Sequence, residues 1–377
     1  MSRIVIEDLP SHVAVEFGLA PVSARRYGGG HINDTYLVES TVRPAASPPH
    51  EGATTPYILQ RINDSVFTAP VELMDNVARV TRHVRSRLEA EGADDVDRRV
   101  LTLVQTPEGA DFHIDPYGQV WRVFEFIPGA TSHEVITTPV QAYKAAQAFG
   151  HFQRLLADYD GPRLHETIPR FHDTVKRYRD FAAVVEADPV GRLAKVREEV
   201  DWLLGQSELA GSMLRLAADG VLPERITHND TKLSNVLLDD VTGEAMCVVD
   251  LDTVMPGLSL YDFADLCRSG ATTVPEDAPD ASGLDVDVPM FQALAEGYLA
   301  GAGAALLPAE RELLVLAGKV MTLEQAYRFL GDHLAGDTYY QTSRPDQNLD
   351  RARTQIALVK ALQRHEDSLN AYVATLS

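Results

Sequence analysis

The sequence predicts an α+β protein of two lobes: a small antiparallel β-sheet lobe carrying one helix, then a larger, mainly α-helical lobe. Three observations predict it. The chain has 377 residues, more than one hydrophobic core ordinarily fills. Short runs rich in β-branched and aromatic residues, bounded by Gly and Pro, are concentrated in the first third. From about Val140 onward apolar residues recur at three- and four-residue spacing instead. The boundary is expected near Ile127-Pro128-Gly129, giving units of residues 1–128 and 129–377.

Residues 23–27 and 35–39 read as strands flanking Gly28-Gly29-Gly30-His31-Ile32-Asn33-Asp34, which suits a hairpin with a flexible tip. Residues 41–56, with four prolines and one glycine, read as an exposed connection, and 57–62 as a third strand. Thr68-Ala69-Pro70 offers a cap and an N1 proline to a helix whose apolar stripe is Leu73, Val77, Val80, Val84 and Leu88. Residues 100–105 and 120–126 complete five strands. Tyr143, Phe149, Phe152 and Leu156 then mark a helix, and helical patterns follow over 172–187, 192–219, 289–302, 308–335 and 350–374. Between them, strand-like pieces at 235–238 and 246–249 flank the turn Asp239-Asp240-Val241-Thr242-Gly243.

Composition narrows the function classes. Hydrophobic residues are 45% and charged residues 24%, so the chain can bury a core and is expected to fold throughout. A net charge of -21 argues against nucleic-acid and anionic-membrane partners, whose surfaces demand clustered Lys and Arg. Cys247 and Cys267 alone cannot build a disulfide framework or a Cys-rich zinc site, and fit a reducing compartment. The N-terminal MSRIVIEDLP lacks a basic segment followed by an apolar core, and no apolar stretch approaches the roughly 20 residues of a membrane span, so a cytoplasmic location is expected.

The chemistry concentrates in His228-Asn229-Asp230-Thr231-Lys232-Leu233-Ser234-Asn235 and in Cys247-Val248-Val249-Asp250-Leu251-Asp252. A polar, non-helical run ending in a hairpin, with acids delivered at the end of its second strand, brings hard oxygen ligands to one point. Phosphoryl transfer needs such a set: Mg2+ takes carboxylate, amide and phosphate oxygens, and one unligated carboxylate orients the attacking hydroxyl.

The spacing H-x-D-x-x-x-x-N, followed by an apolar strand ending in Asp, resembles the aminoglycoside phosphotransferases, choline kinases and related kinase-like enzymes. Within that group GGGHINDTYLVES, YILQRIN, ITHNDTKLSNVLLD, VVDLDTVMPG and RFLGDHLAGDTYY are similar to the N-acetylhexosamine 1-kinases, over residues 28–340. The resemblance implies a protein-kinase-like two-lobe fold, with a nucleotide-binding first lobe and a catalytic, substrate-binding second lobe. Asp230 would orient the substrate hydroxyl, and Asn235 and Asp250 would hold Mg2+. Asp252 is assigned to a second metal position, with the sugar pocket and a plain turn left open. His228, Asp262 and Asp265 read as braces. Gly28, Gly29 and Gly30 would fold over the phosphates of ATP, the co-substrate, with His31 and Asn33 facing the substrate or the phosphates. Where such enzymes carry a third-strand Lys this chain has Gln60 and then Arg61, and Glu72, Asp75 and Glu89 are candidates for the acidic partner on the next helix. Glu125, Phe126 and Ile127 fall where such a fold binds adenine. Arg328 and Tyr339 match sugar-binding positions, Arg328 and Asp332 share a helix face, and Gly336 ends that helix.

The implied activity is ATP-dependent phosphorylation of the anomeric hydroxyl of an N-acetylhexosamine, by a monomer or small homo-oligomer. Another hydroxyl acceptor (aminoglycoside, homoserine, choline-like alcohol or other sugar) and a non-catalytic nucleotide-binding scaffold are the alternatives. A protein kinase is disfavoured, because Asp250-Leu251-Asp252 stands in place of D-F-G and no A-P-E segment follows.

Overall fold

The computed structural model describes residues 9–28, 32–43, 54–133, 135 and 137–376; Gly29, Gly30 and His31 lie outside the described residues. The first lobe runs α1 (Leu9–Val15), β1 (Pro21–Arg26), β2 (Asp34–Ser40), β3 (Thr55–Arg61), α2 (Pro70–Ala90), α3 (Val96–Arg99), β4 (Leu103–Val104), β5 (His113–Ile114) and β6 (Val120–Glu125). The strands form one antiparallel sheet in the order β1-β2-β3-β6-β4, with β5 also on β6.

Side-chain alternation explains why β6 is apolar almost throughout. Trp121 and Val123 join Tyr57 and Leu59 of β3 under α1, around Val13, Ala14 and Phe17. Val120 and Phe124 face the other way, onto Leu73, Val77, Val80, Val84 and Leu88 of α2. The sequence led us to expect one helix here. Two more are present: α3, of four residues, and α1, which covers the far face of the sheet but at seven residues is too short to show a helical period. Pro70 occupies the first turn of α2 as expected, whereas Ala69 rather than Thr68 is the capping residue and makes no side-chain cap bond.

The second lobe runs β7 (Ala130–Ser132), α4 (Pro139–Leu156), α5 (Thr174–Ala187), α6 (Arg197–Leu204), α7 (Ser207–Ala218), β8 (Arg225–Thr227), β9 (Val236–Asp239), β10 (Ala245–Val248), β11 (Met255–Gly257), α8 (Ser259–Gly270), α9 (Val288–Ala302), α10 (Pro308–Glu312), α11 (Leu314–Ala335) and α12 (Gln347–Ala374). The expected 192–219 helix is broken at Gly205, and the expected 308–335 helix at Leu313. Helix α8 was not anticipated, because ten of its twelve residues are buried and it has no apolar stripe to detect. Among the described residues no helix is long and apolar enough to cross a membrane.

Helices α4 and α9 touch backbone to backbone. A Cβ on Gly301 would lie 2.1 Å from the Gln147 carbonyl oxygen, and one on Gly297 would lie 2.2 Å from that of Tyr143. This approach fixes α4, which carries Phe149 and Phe152 against the His228 ring, with centroids 5.2 and 6.0 Å away, and sends Gln153 to Asp262. Gly301→Ala is therefore expected to lower unfolding stability by roughly 1–3 kcal/mol through overpacking, measured as a shift of the urea midpoint at constant slope. An unchanged midpoint would show that the two helices have room to part.

Candidate active site

The segment between β8 and β9 is held open by carboxylates. Its backbone has left-handed geometry at Asn229, with φ 66. Asp262 accepts the amides of His228 (3.0 Å) and Asn229 (2.8 Å), and Asp265 that of Thr231 (2.9 Å). One turn apart on α8, the two acids satisfy three donors that no ladder reaches. His228 accepts the Asp230 amide at Nδ1 (3.3 Å), so its proton sits on Nε2 and is donated to the Val249 carbonyl (2.9 Å). The loop is thereby tied to the strand end that delivers Asp250.

The loop and the β9–β10 hairpin bring Asp230, Asn235 and Asp250 together. The Asn235 Nδ2 donates to the Asp230 carbonyl (2.8 Å) and to Asp230 Oδ2 (3.1 Å), orienting the amide so that its nitrogen faces Asp230. Asp250 has φ 60 at the exit of β10. Burial and the like charges of Asp252 and Asp230 raise its carboxyl to about 6, against the pull of Lys232. Lys232 lies 3.0 Å from Asp230 Oδ2; burial lowers it, but Asp230 and Asp250 raise it further, so it stays charged. A divalent cation fits this donor set, because it would reverse the penalty on Asp250 while Asn235 Oδ1 adds a hard oxygen.

Other positions are placed differently from expectation. Asp252, expected as a metal ligand, is engaged at both oxygens: Oδ1 lies 2.5 Å from Arg122 Nη1, and Oδ2 accepts Asn33 Nδ2 (2.6 Å). Asn33, expected at the substrate, has its Oδ1 on the Asn63 amide (3.0 Å), so it braces the β2 entrance against the second lobe. Gln60 bridges Thr35 (3.1 Å) and Arg122 Nε (2.9 Å). Arg61 faces the other side of the sheet and pairs with Asp34, whose carboxyl burial would raise but Arg61 and Arg26 hold below its usual value.

The buried cation of this region is Arg122, which sequence reasoning passed over. It sits opposite Gln60 on β6, its side chain is 1% exposed, and its guanidinium lies 5.0 Å from the Phe124 ring centroid. The signal was an Arg inside an apolar strand. None of the acids proposed on α2 faces it: Glu72 and Asp75 meet His165, and Glu89 meets Arg85. Met74 is the α2 residue in contact, with its sulfur 3.9 Å from Arg122 Nη1.

Glu125 ends β6 with its amide on the Thr102 carbonyl (3.0 Å), Phe126 meets Tyr27 edge-on at 6.1 Å, and Ile127 is buried. Gly28, at φ 74, follows Tyr27 at the hairpin exit. Arg328 on α11 lies 5.9 Å from the Phe171 ring centroid, 5.9 Å from Tyr339 and 5.4 Å from Tyr340. Phe171 and Tyr340 were not anticipated; nothing in their spacing distinguishes them from core aromatics. Asp332 does not pair with Arg328 but accepts the amides of Thr338, Tyr339 and Tyr340, fixing the turn after Gly336, which ends α11 at φ 99.

Residues 23–314 match the model of the phosphotransferase enzyme family (APH). Among solved structures, an aminoglycoside phosphotransferase from Alicyclobacillus acidocaldarius superposes with a TM-score of 0.60 at 15% identity, covering 98% of this chain and 97% of that one. The amicoumacin kinase complex with AMP-PNP and Ca2+ gives 0.56 at 15%, covering 94% and 93%. A choline/ethanolamine kinase family protein from Mesorhizobium loti gives 0.51 at 20%, covering 94% and 92%.

Breaking the Arg122–Asp252 pair tests the inter-lobe contact. Arg122→Met is expected to cost roughly 3–5 kcal/mol by stranding a buried carboxylate, with most of it recovered in Arg122→Met/Asp252→Leu. Urea unfolding of the three proteins checks this; additive losses would mean that the pair carries no coupling.

Proposed function

Because the chain belongs to the phosphotransferase enzyme family, we propose that it transfers the γ-phosphoryl group of ATP to the anomeric hydroxyl of an N-acetylhexosamine, giving the sugar 1-phosphate and ADP. The observation that carries the acceptor is Arg328 beside Tyr339, whose side chain is 70% exposed and offers a ring face to a pyranose. A fixed guanidinium suits a neutral sugar bearing hydroxyl and carbonyl acceptors. It opposes the cationic aminoglycosides and choline-like alcohols that other kinases of this architecture take.

In this reading Asp230 orients the acceptor hydroxyl and takes its proton as the O–P bond forms. An anomeric hydroxyl is more acidic than an ordinary alcohol, so placement in line with the γ-phosphorus matters more than basicity. The Asn235 amide holds the Asp230 carboxylate through Nδ2, while its own oxygen and Asp250 would hold Mg2+. When bound, the metal neutralises phosphate charge. Lys232, charged and beside Asp230, is assigned to a phosphate oxygen. Residues 125–127 are assigned to adenine, Gly28 with the two glycines after it to the phosphates, and the division at residue 128 separates nucleotide binding from acceptor binding. His31 is kept as an acceptor contact on the sequence alone.

The test is phosphorus NMR of the protein with Mg-ATP and, in separate tubes, N-acetylglucosamine, N-acetylgalactosamine, amino alcohols and aminoglycosides. A new anomeric sugar-phosphate signal is expected, and Asp230→Asn is expected to lower turnover roughly 10²–10⁴-fold with ATP binding retained. Phosphorylation of a cationic acceptor alone would retire the sugar and leave the family assignment standing.

A further inference from the structure

The geometry points to His172 as a positioning residue: a doubly protonated imidazole that bridges Glu324 on α11 to the Asn229 carbonyl and so sets the peptide presenting Asp230. This rests on the reading of Asp230 as the group that orients the acceptor.

His172 immediately precedes the α5 cap and is buried, as is Glu324. Its Nδ1 lies 3.0 Å from Glu324 Oε1 and its Nε2 3.0 Å from the Asn229 carbonyl oxygen. Both partners are acceptors, so both ring nitrogens must carry hydrogen. The second Glu324 oxygen accepts Thr174 Oγ1 at 2.7 Å, which fixes the carboxylate. Phe171 and Tyr261 hold the ring at centroid distances of 4.4 and 5.0 Å.

The consequence falls on one peptide plane. The Asn229–Asp230 peptide has its C=O on His172 Nε2 and its N–H on His228 Nδ1, so two histidines in different protonation states grip its two ends. With φ 66 at Asn229, a strained backbone is held by these bonds and by Asp262. Glu324 and Arg328 are one turn apart on α11, and Arg328 lies over Phe171, the neighbour of His172. The helix that carries the acceptor-facing cation is thus connected through two hydrogen bonds to the peptide that aims Asp230.

The charged and titratable groups facing the ring are Glu324 from α11, Asp265 and Tyr261 from α8, and Arg328 acting through Glu324. Burial pulls the imidazole down, but the charge and hydrogen bond of Glu324 and the Asn229 carbonyl carry it above the ordinary histidine value. The folded chain therefore holds this proton more tightly than the unfolded one. The bridge is complete below the folded value, and the stability it adds, present in full below the ordinary histidine range, is lost as pH rises through the folded value. A neutral ring would keep its hydrogen toward Glu324 and turn a lone pair on Asn229.

Long-range proton–nitrogen NMR of the whole protein at neutral pH is expected to show two ring N–H signals for His172, absent in His172→Phe. A single ring N–H would overturn the proposal without any acceptor being needed. With Mg-ATP and an acceptor that is turned over, His172→Phe is expected to lose about 10- to 100-fold in kcat with little change in the KM for ATP. Glu324→Gln can donate to Nδ1 and leave the hydrogen on Nε2, so it should remain well above His172→Phe and lose the alkaline fall of the wild-type kcat. Should His172→Phe not fold, that pH profile and the ring signals decide, and an alkaline limb unchanged in Glu324→Gln counts against the proposal. Asp230→Asn runs alongside. If it is inactive while His172→Phe has wild-type kcat, only this inference fails; if it turns over normally, the role of Asp230 fails.

Discussion

The structure depends first on the two carboxylates that α8 gives to the Asp230 loop. A loop buried between two lobes cannot reach water with its amides, and each unmet N–H would cost about 1–3 kcal/mol. Asp262 and Asp265 meet three of them from fixed positions on a buried helix. Burial raises the Asp262 carboxyl, although the two amides and Gln153 favour its ionised form. A charge is tolerated there because donors surround it. The helix in turn is locked by close packing: Cys267 sits against Gly318 of α11, where a Cβ would come within 3.0 Å of the sulfur. Burial lifts the Cys267 thiol to about 12, which makes it a packing residue rather than a nucleophile.

Around this frame the buried acids of the second lobe are consistently matched. Glu310 meets Arg225 and Ser259, Asp265 meets Arg268, Glu324 meets His172 and Thr174, and Asp332 meets three amides and Asn348. Asp250 stands apart, because burial and two more carboxylates outweigh the pull of Lys232 and leave its carboxyl raised. A chain of net charge -21 has ample acid to place at random on its surface. With Asp252 on Arg122 and Asp230 on Lys232, Asp250 is the buried acid at the end of β10 whose raised carboxyl the proposed cation would relieve.

The architecture was legible wherever periodicity was clean. Strands β1, β2, β3 and β6, set between turn signals, and helix α2, with its apolar stripe, each lie within a residue or two of their expected place. What escaped was either too short to carry a period, as with α1 and β5, or buried on every side, as with α8. At the site, the spacing of Asp230, Asn235 and Asp250 led us to expect them in one place, and the fold brings them together. Arg122 could not, since its meaning lies in a cross-strand register with Gln60 and a contact 130 residues away in the chain. His172 was invisible for the same reason: its partners lie in β8's loop and in α11, and only folding brings them to one ring.

That displaced arginine changes how the lobes are joined. A lysine on the third strand paired to an acid on the following helix can be made and broken as the helix moves. Here the cation is one strand over and pairs with Asp252, two residues beyond Asp250, while α2 contributes only the Met74 sulfur. Helix α2 is fixed separately, by the Asn76 side chain, which donates to the carbonyls of His165 and Val254 in the second lobe. Asn33 adds a third tie on the same Asp252 carboxylate. These contacts are buried or half-buried, and they end on the segment that follows Asp250. The first lobe is therefore tied to the segment after β10 through β6, the β2 entrance and Asn76 rather than through an ion pair between β3 and α2.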